Sequence, residues 1–272
     1  MEKHFKFTGT GDALFGKFLL GMFLTIITLG IYLPWFVVNL SKFVYENTTL
    51  SGSEKGEMRL EFRGIGGQLF NICLGGLFLT VVTLYIYYGW FLANLIKFSY
   101  DNSVAKASDG TEYKLQFNGT GGELFGTILV GGLLTMITFG IYGPWFAVEL
   151  MKLIAKRTVI IENGSQIGNT AFVATGGQLF GTVLVGFLLT LITFGIYIPW
   201  FWVKMARFYA ENTTITVNGV RHVGAFDGKG GEFFVLNFVG GLLTMVTFGI
   251  YGAWFICKIW TFKINHTAFV PR

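Results

Sequence analysis

The 272 residues are 53% hydrophobic and 18% aromatic, and 13% carry charge, about half the ~25% typical of a soluble globular domain. The net charge of +5 is scattered among connecting segments rather than gathered into one basic face, which argues against a nucleic-acid partner. His4, His222 and His266 are dispersed, and no metal-spaced cluster or nucleophile motif appears, so neither an enzyme nor a metal or other cofactor is expected.

Charge is confined to short stretches. Residues 18–41, 64–96, 124–148, 163–203 and 233–257 contain no Asp, Glu, Lys or Arg, and each run exceeds the ~20 residues that span a bilayer as helix. The composition therefore predicts an α-helical integral membrane protein. The N-terminus has no cleavable signal pattern, since Asp12 and Lys17 adjoin the first apolar run. Cys73 and Cys257 both lie in apolar runs and read as small buried hydrophobes.

The chain is built from copies of one unit. A motif of the form Thr-Leu-Ile-Thr-Phe-Gly-Ile-Tyr-x-Pro-Trp starts at Thr25, Thr80, Thr135, Thr190 and Thr244, at intervals of 55, 55, 55 and 54 residues. Such a period marks a copied supersecondary unit, with repeats at about 1–50, 51–105, 106–160, 161–215 and 216–272. Each unit opens on a short alternating segment ending in Phe (Phe7, Phe62, Phe117, Phe172, Phe226), which predicts a half-buried strand. A Gly-rich turn follows, then a polar residue at a helix start: Asp12, Gln68, Glu123, Gln178 or Glu232.

The first predicted helix runs from about Leu14 to Ile31 and its equivalents, roughly 27 Å at helical rise. Gly21, Gly76, Gly131, Gly186 and Gly240 precede the first motif Thr by four residues and would allow close helix approach. That Thr (Thr25, Thr80, Thr135, Thr190, Thr244) has two readings: a hydroxyl bonded back to the preceding turn, or part of a pore ring. The helix breaks at the Gly-Ile-Tyr-x-Pro-Trp segment. Tyr32, Tyr87, Tyr142, Tyr197 and Tyr251, with Trp35, Trp90, Trp145, Trp200 and Trp254, read as membrane-interface anchors. A shorter second helix follows, from Trp35 to Tyr45 in the first unit. It carries a polar residue four places after the Trp: Asn39, Asn94, Glu149, Lys204 or Lys258. The Asn-x-Ser/Thr matches beginning at Asn47, Asn118, Asn163, Asn212 and Asn265 read as turn and cap chemistry.

If each unit dips into the lipid and returns, all 20 Lys and Arg lie on one side, as the positive-inside tendency requires. The expected architecture is a pseudo-five-fold ring of helix hairpins in one membrane domain, 1–272, with short β-hairpins between repeats on the cytosolic side. The first and last strands would complete a final hairpin between the termini.

The run Phe7-Thr8-Gly9-Thr10-Gly11, with Leu24-Thr25-Ile26-Ile27-Thr28-Leu29-Gly30-Ile31-Tyr32-Leu33-Pro34-Trp35 and then Glu46-Asn47-Thr48, resembles the opening of the YjgN-like family of bacterial inner-membrane proteins. This chain differs in being little more than tandem copies, with fewer Arg after the Trp. The resemblance implies a multi-pass protein of the bacterial cytoplasmic membrane, while the one-sided basic residues would put the termini in the cytosol. It carries over no catalytic residues.

Two functions follow as expectations. One is a structural or membrane-organising scaffold whose partners are lipids and an unidentified protein. The other is a channel for ions or small polar solutes, lined by the Thr ring and by Asn39, Asn94, Glu149, Lys204 and Lys258.

Overall fold

The computed structural model describes residues 2–53 and 55–272. Five units of the form β-α-α-β follow one another. The first comprises β1 (Lys3–Phe7), α1 (Gly11–Ile27), α2 (Leu33–Glu46) and β2 (Thr48–Ser53). The second is β3 (Gly56–Phe62), α3 (Gly66–Val82), α4 (Tyr88–Asp101) and β4 (Ser103–Ala107). The third is β5 (Glu112–Phe117), α5 (Gly121–Ile137), α6 (Gly143–Lys156) and β6 (Thr158–Glu162). The fourth is β7 (Ser165–Phe172), α7 (Gly176–Ile192), α8 (Ile198–Glu211) and β8 (Thr213–Val217). The fifth is β9 (Val220–Phe226), α9 (Gly230–Val246), α10 (Gly252–Asn265) and β10 (Thr267–Pro271).

The strands form one closed antiparallel barrel in chain order. Strand β10 pairs with β1, Lys3 opposite Phe269 and His4 opposite Ala268, so the termini lie side by side. Closure leaves no free sheet edge for another chain to add to.

The expected α-helical integral membrane fold is thereby corrected. The organising element is a ten-stranded barrel, and no helix among the described residues is long and apolar enough to cross a membrane. The physical reason lies in what the charge-free runs contain. Residues 163–203 take in β7, the whole of α7 and the start of α8, so the run measures several elements and a turn rather than one helix. The first helix is 17 residues and starts at Gly11, not Leu14, so it takes in Asp12 as well as Lys17. At 1.5 Å per residue it reaches roughly 25 Å, short of a ~30 Å hydrocarbon layer. The multi-pass threading goes with the spanning helices.

Nor are the two helices of a unit a simple in-and-out pair. A Cβ on Gly76, in the middle of α3, would fall within the Phe91 ring at the start of α4. A Cβ on Gly66, at the start of α3, would fall on Trp35 at the start of α2. Each long helix therefore bridges the N-terminal ends of two neighbouring short helices, and its second half projects past them. The same contacts recur around the ring, including Trp254 on Gly11, where the Trp254 Nε1 donates to Asp12 Oδ1 at 3.2 Å. The buried core sits between helices and strands, as in the cluster of Phe7, Leu14, Phe43, Ala253 and Cys257.

Candidate membrane-contact crown and barrel lumen

The second half of each long helix is apolar and exposed. In α1, Leu20, Phe23, Ile26 and Ile27 each keep more than half their surface open. The turn that follows is more extreme: Leu29 is 94% exposed, Leu84 85%, and Phe139, Phe194 and Phe248 97% each. These five side chains touch almost nothing, yet each has a positive φ near 50°, where an L-residue pays about 1–2 kcal/mol for the left-handed conformation. The turn explains the backbone. Gly30 N donates to Thr25 O at 2.8 Å and Leu29 N to Ile26 O at 3.1 Å, the paired bonds that close a helix C-terminus, with the left-handed residue normally Gly. Here Leu or Phe stands at that position and Gly comes one residue later. A large apolar side chain is thus held outward in a conformation that nothing in its packing rewards, a hallmark of positions under functional constraint.

In the second unit the following Gly is replaced by Tyr85, which has φ 68°, so two successive residues are left-handed. Tyr85→Gly should relieve that strain and raise stability by about 0.5–1 kcal/mol net of the glycine's extra unfolded-state entropy. Thermal melting checks this, and an unchanged or lower midpoint contradicts it.

The motif threonines hold the turn together. Thr25, Thr80, Thr135, Thr190 and Thr244 each donate to the carbonyl of the glycine four residues back, at 2.6–2.7 Å. The second Thr of each motif accepts from the Tyr that starts the short helix, as Thr28 Oγ1 does from Tyr32 N at 2.9 Å. These hydroxyls are used by their own backbone. Asn39, Asn94, Glu149, Lys204 and Lys258 all lie on exposed faces of the short helices, one residue beyond the buried Val38, Ala93, Val148, Val203 and Cys257. None of the five lines the barrel cavity. Glu149 accepts from Lys152 at 3.0 Å, Lys204 sits 5.7 Å over the Tyr197 ring, and Lys258 donates to the Tyr251 hydroxyl at 2.8 Å.

The residues read as interface anchors make ring contacts within and between units. Each Tyr stacks on the Trp three residues on, with centroids 6.0–6.2 Å apart. The Trp then packs against the next unit: Trp35 on Phe70, Trp90 on Phe125, Trp145 on Phe180, Trp200 on Phe234, and Trp254 on Phe15. They are joints between repeats. The crown's outermost contacts are instead Leu29, Leu84, Phe139, Phe194 and Phe248, which the sequence reading passed over as spacers within the motif. The signal was a large apolar residue directly before the turn Gly in four units. The cap boxes Thr120–Glu123 and Thr175–Gln178 were also legible as Thr three residues before the polar residue at the expected helix start. At the C-terminal end of the short helices Asn47 Nδ2 donates to Phe43 O, and Asn102 and Asn212 repeat this.

The barrel encloses a cavity of about 740 Å³. Its wall is apolar along the strands, with Phe5, Leu60, Ile160, Ile215 and Phe269 among the lining residues, and Tyr45, Tyr100 and Ile154 close the helix end. At the turn end Lys55 bonds Glu162, whose carboxylate also accepts from the Tyr113 hydroxyl at 3.1 Å. The hydrogen bond from Lys55 holds the Glu162 carboxyl below its ordinary range. Arg63 does the same for Glu112, bonding it across β4 and also bonding Glu61 two residues before it. Glu123 is lowered first by the Thr120 backbone of its cap box, then by Arg157. A carboxylate lowered in the fold stabilises above its unfolded pKa, near 4.5, and that contribution is lost as pH falls through the depressed value. Acid unfolding should therefore set in below pH ~4.5, and Glu162→Gln should flatten the acid limb of a melting-temperature profile. An unaltered limb speaks against the Lys55 tie.

The first and last units, residues 2–54 and 221–270, match the family model described as "Bacterial protein of unknown function (DUF898)". Residues 114–216 match the "Family of unknown function (DUF6693)". The chain is similar to "Inner membrane protein YjgN" of Salmonella typhimurium strain LT2, at 36% identity over 95 residues, 35% of this chain and 23% of that protein. It is similar also to the Escherichia coli K12 protein of that name, at 39% identity over 70 residues, 26% of this chain and 16% of that one. The alignments thus span under a quarter of those relatives' length. No solved structure matches.

Proposed function

We propose, from the premise that this chain is a YjgN-like protein of the bacterial inner membrane, that it sits on that membrane from one side and organises it as a rigid scaffold. The observation that carries this reading is the crown of five fully exposed apolar side chains, Leu29, Leu84, Phe139, Phe194 and Phe248, each held outward by a strained turn. An exposed apolar patch of this extent marks a membrane or partner contact. The tips enter the lipid without crossing it, in keeping with long helices of roughly 25 Å, three of which carry an acidic residue in the first turn, Asp12, Glu123 and Glu232. The barrel and both termini stay in the cytosol, the side on which short basic segments accumulate.

The experiment is labelling in cells with a membrane-impermeant maleimide, using Ser108→Cys on the barrel and Phe194→Cys on a tip, with Cys73 and Cys257 first replaced by Ala. Neither site should react in intact cells, and Ser108→Cys should react once the inner membrane is opened. A tip that reacts from the periplasmic side would show that the unit crosses, and a barrel that reacts in intact cells would reverse the orientation. The channel reading has no comparable support, since its candidate hydroxyls are bonded to their own helices. Ion flux through reconstituted wild-type protein would restore it.

A further inference from the structure

We propose that the barrel lumen binds a single-chain anionic amphiphile, with its tail along the strand wall and its head group at Lys3 and His222. The two halves of the cavity differ in character. Phe5, Leu60, Ile160 and Ile215 line the wall, and aromatic Tyr45 and Tyr100 close the helix end. Polar groups gather at the turn end, because Lys3 opens β1, His222 lies near the start of β9, and Lys55 and Glu162 flank hairpin turns. An amphiphile entering tail first meets both halves correctly. The volume of about 740 Å³ lies within the roughly 300–1,000 Å³ of small-molecule sites.

His222 supplies the independent pointer to a ligand. Its residue is 6% exposed, and its Nδ1 makes no hydrogen bond of good geometry among the described residues, the Val220 backbone acting on the ring only as a weak partner that opposes burial. A buried polar atom left unpaired is costly, about 1–3 kcal/mol, so natural interiors keep few of them. Strand β10 separates His222 from Lys3, with Lys3 opposite Phe269 and His222 opposite Pro271. Burial first, then the Lys3 charge, hold the imidazole below its ordinary pKa. The His222 imidazole and, two strands away, the Lys3 ammonium both line the cavity and offer a head group one hydrogen bond and one positive charge. No crown tip lines this cavity, so the site is separate from the membrane contact.

The test is photo-crosslinking of the full chain in phosphatidylglycerol-containing vesicles with a diazirine-labelled palmitic acid, mapping adducts by mass spectrometry. Adducts on lumen-facing strand residues are expected in addition to any on the crown. Leu60→Trp and Ala105→Phe, each filling the lumen, should reduce the lumen adducts at least tenfold and leave the crown adducts in place. His222→Ala should raise the oleate concentration that displaces the probe about five- to tenfold, the worth of one hydrogen bond. Displacement by oleate or by lysophosphatidylglycerol tells a free fatty acid from a lipid head group. The wild-type map decides even if a filled variant does not fold: adducts confined to the helices mean a water-filled lumen only and overturn the proposal. Lumen adducts undiminished in both folded variants overturn it too.

Discussion

Gly176→Ala lowers the melting temperature by roughly 6–12 °C, while Gly132→Ala raises it. The first follows from the joint between units. A Cβ on Gly176 would meet the Trp145 ring and, at 2.8 Å, its Cα. The corresponding distance to the Trp Cα is 2.6 Å at Gly121 and 2.7 Å at Gly11. A flexible side chain could swing away, but a helix backbone cannot. Overpacking of this kind costs about 1–3 kcal/mol, and the backbone obstacle puts it at the top of that range. About 3 kcal/mol converts at 2–4 °C per kcal/mol for a chain of this size. Gly132 lies inside α5 with open space where its Cβ would be, so alanine there recovers up to ~1 kcal/mol of backbone entropy. Both shifts come from one melting experiment. If the two substitutions move the midpoint alike, Trp145 is not wedged against the next unit and the ring of joints is wrong.

Replacing Leu29, Leu84, Phe139, Phe194 and Phe248 together by Asn should release the protein from vesicles while leaving it as stable as before, or more so. Asn adopts the left-handed backbone more readily than Leu or Phe, so the turns lose strain. Each tip side chain contributes about 2 kcal/mol when fully buried, or roughly 10 kcal/mol for five. Even partial insertion makes a loss of at least ~1,000-fold in partitioning the expected result, at 1.4 kcal/mol per tenfold. Co-flotation with vesicles measures the partitioning, and thermal melting checks the fold. A variant that still floats with wild-type efficiency would move the membrane contact elsewhere. One that unfolds would show that the tips pack against something inside the fold.

The sequence by itself determined the unit and its order. The 55-residue period, the strand ending in Phe, the Gly-rich turn and the Tyr-Trp corner all follow from residues close together in the chain, and local backbone chemistry is enough to place them. The close helix approach at Gly21 and its copies was legible in the same way, although the partner rings at Phe36 and its equivalents were not. Charge-free length misled, because hydropathy sums across a turn that ends one helix and begins another; α1 and α2 each proved too short to cross a membrane. The surroundings of the candidate polar positions were hidden for a related reason. Spacing after the Trp fixes which face of a short helix Asn39 or Lys204 occupies, but only packing decides whether that face looks inward. The pairing of the first and last strands followed from the repeat, but the lumen with His222 and the Trp wedges between units depend on contacts between residues up to 242 positions apart, Asp12 with Trp254. Contacts of that span leave no local pattern, so only the tertiary structure could decide them.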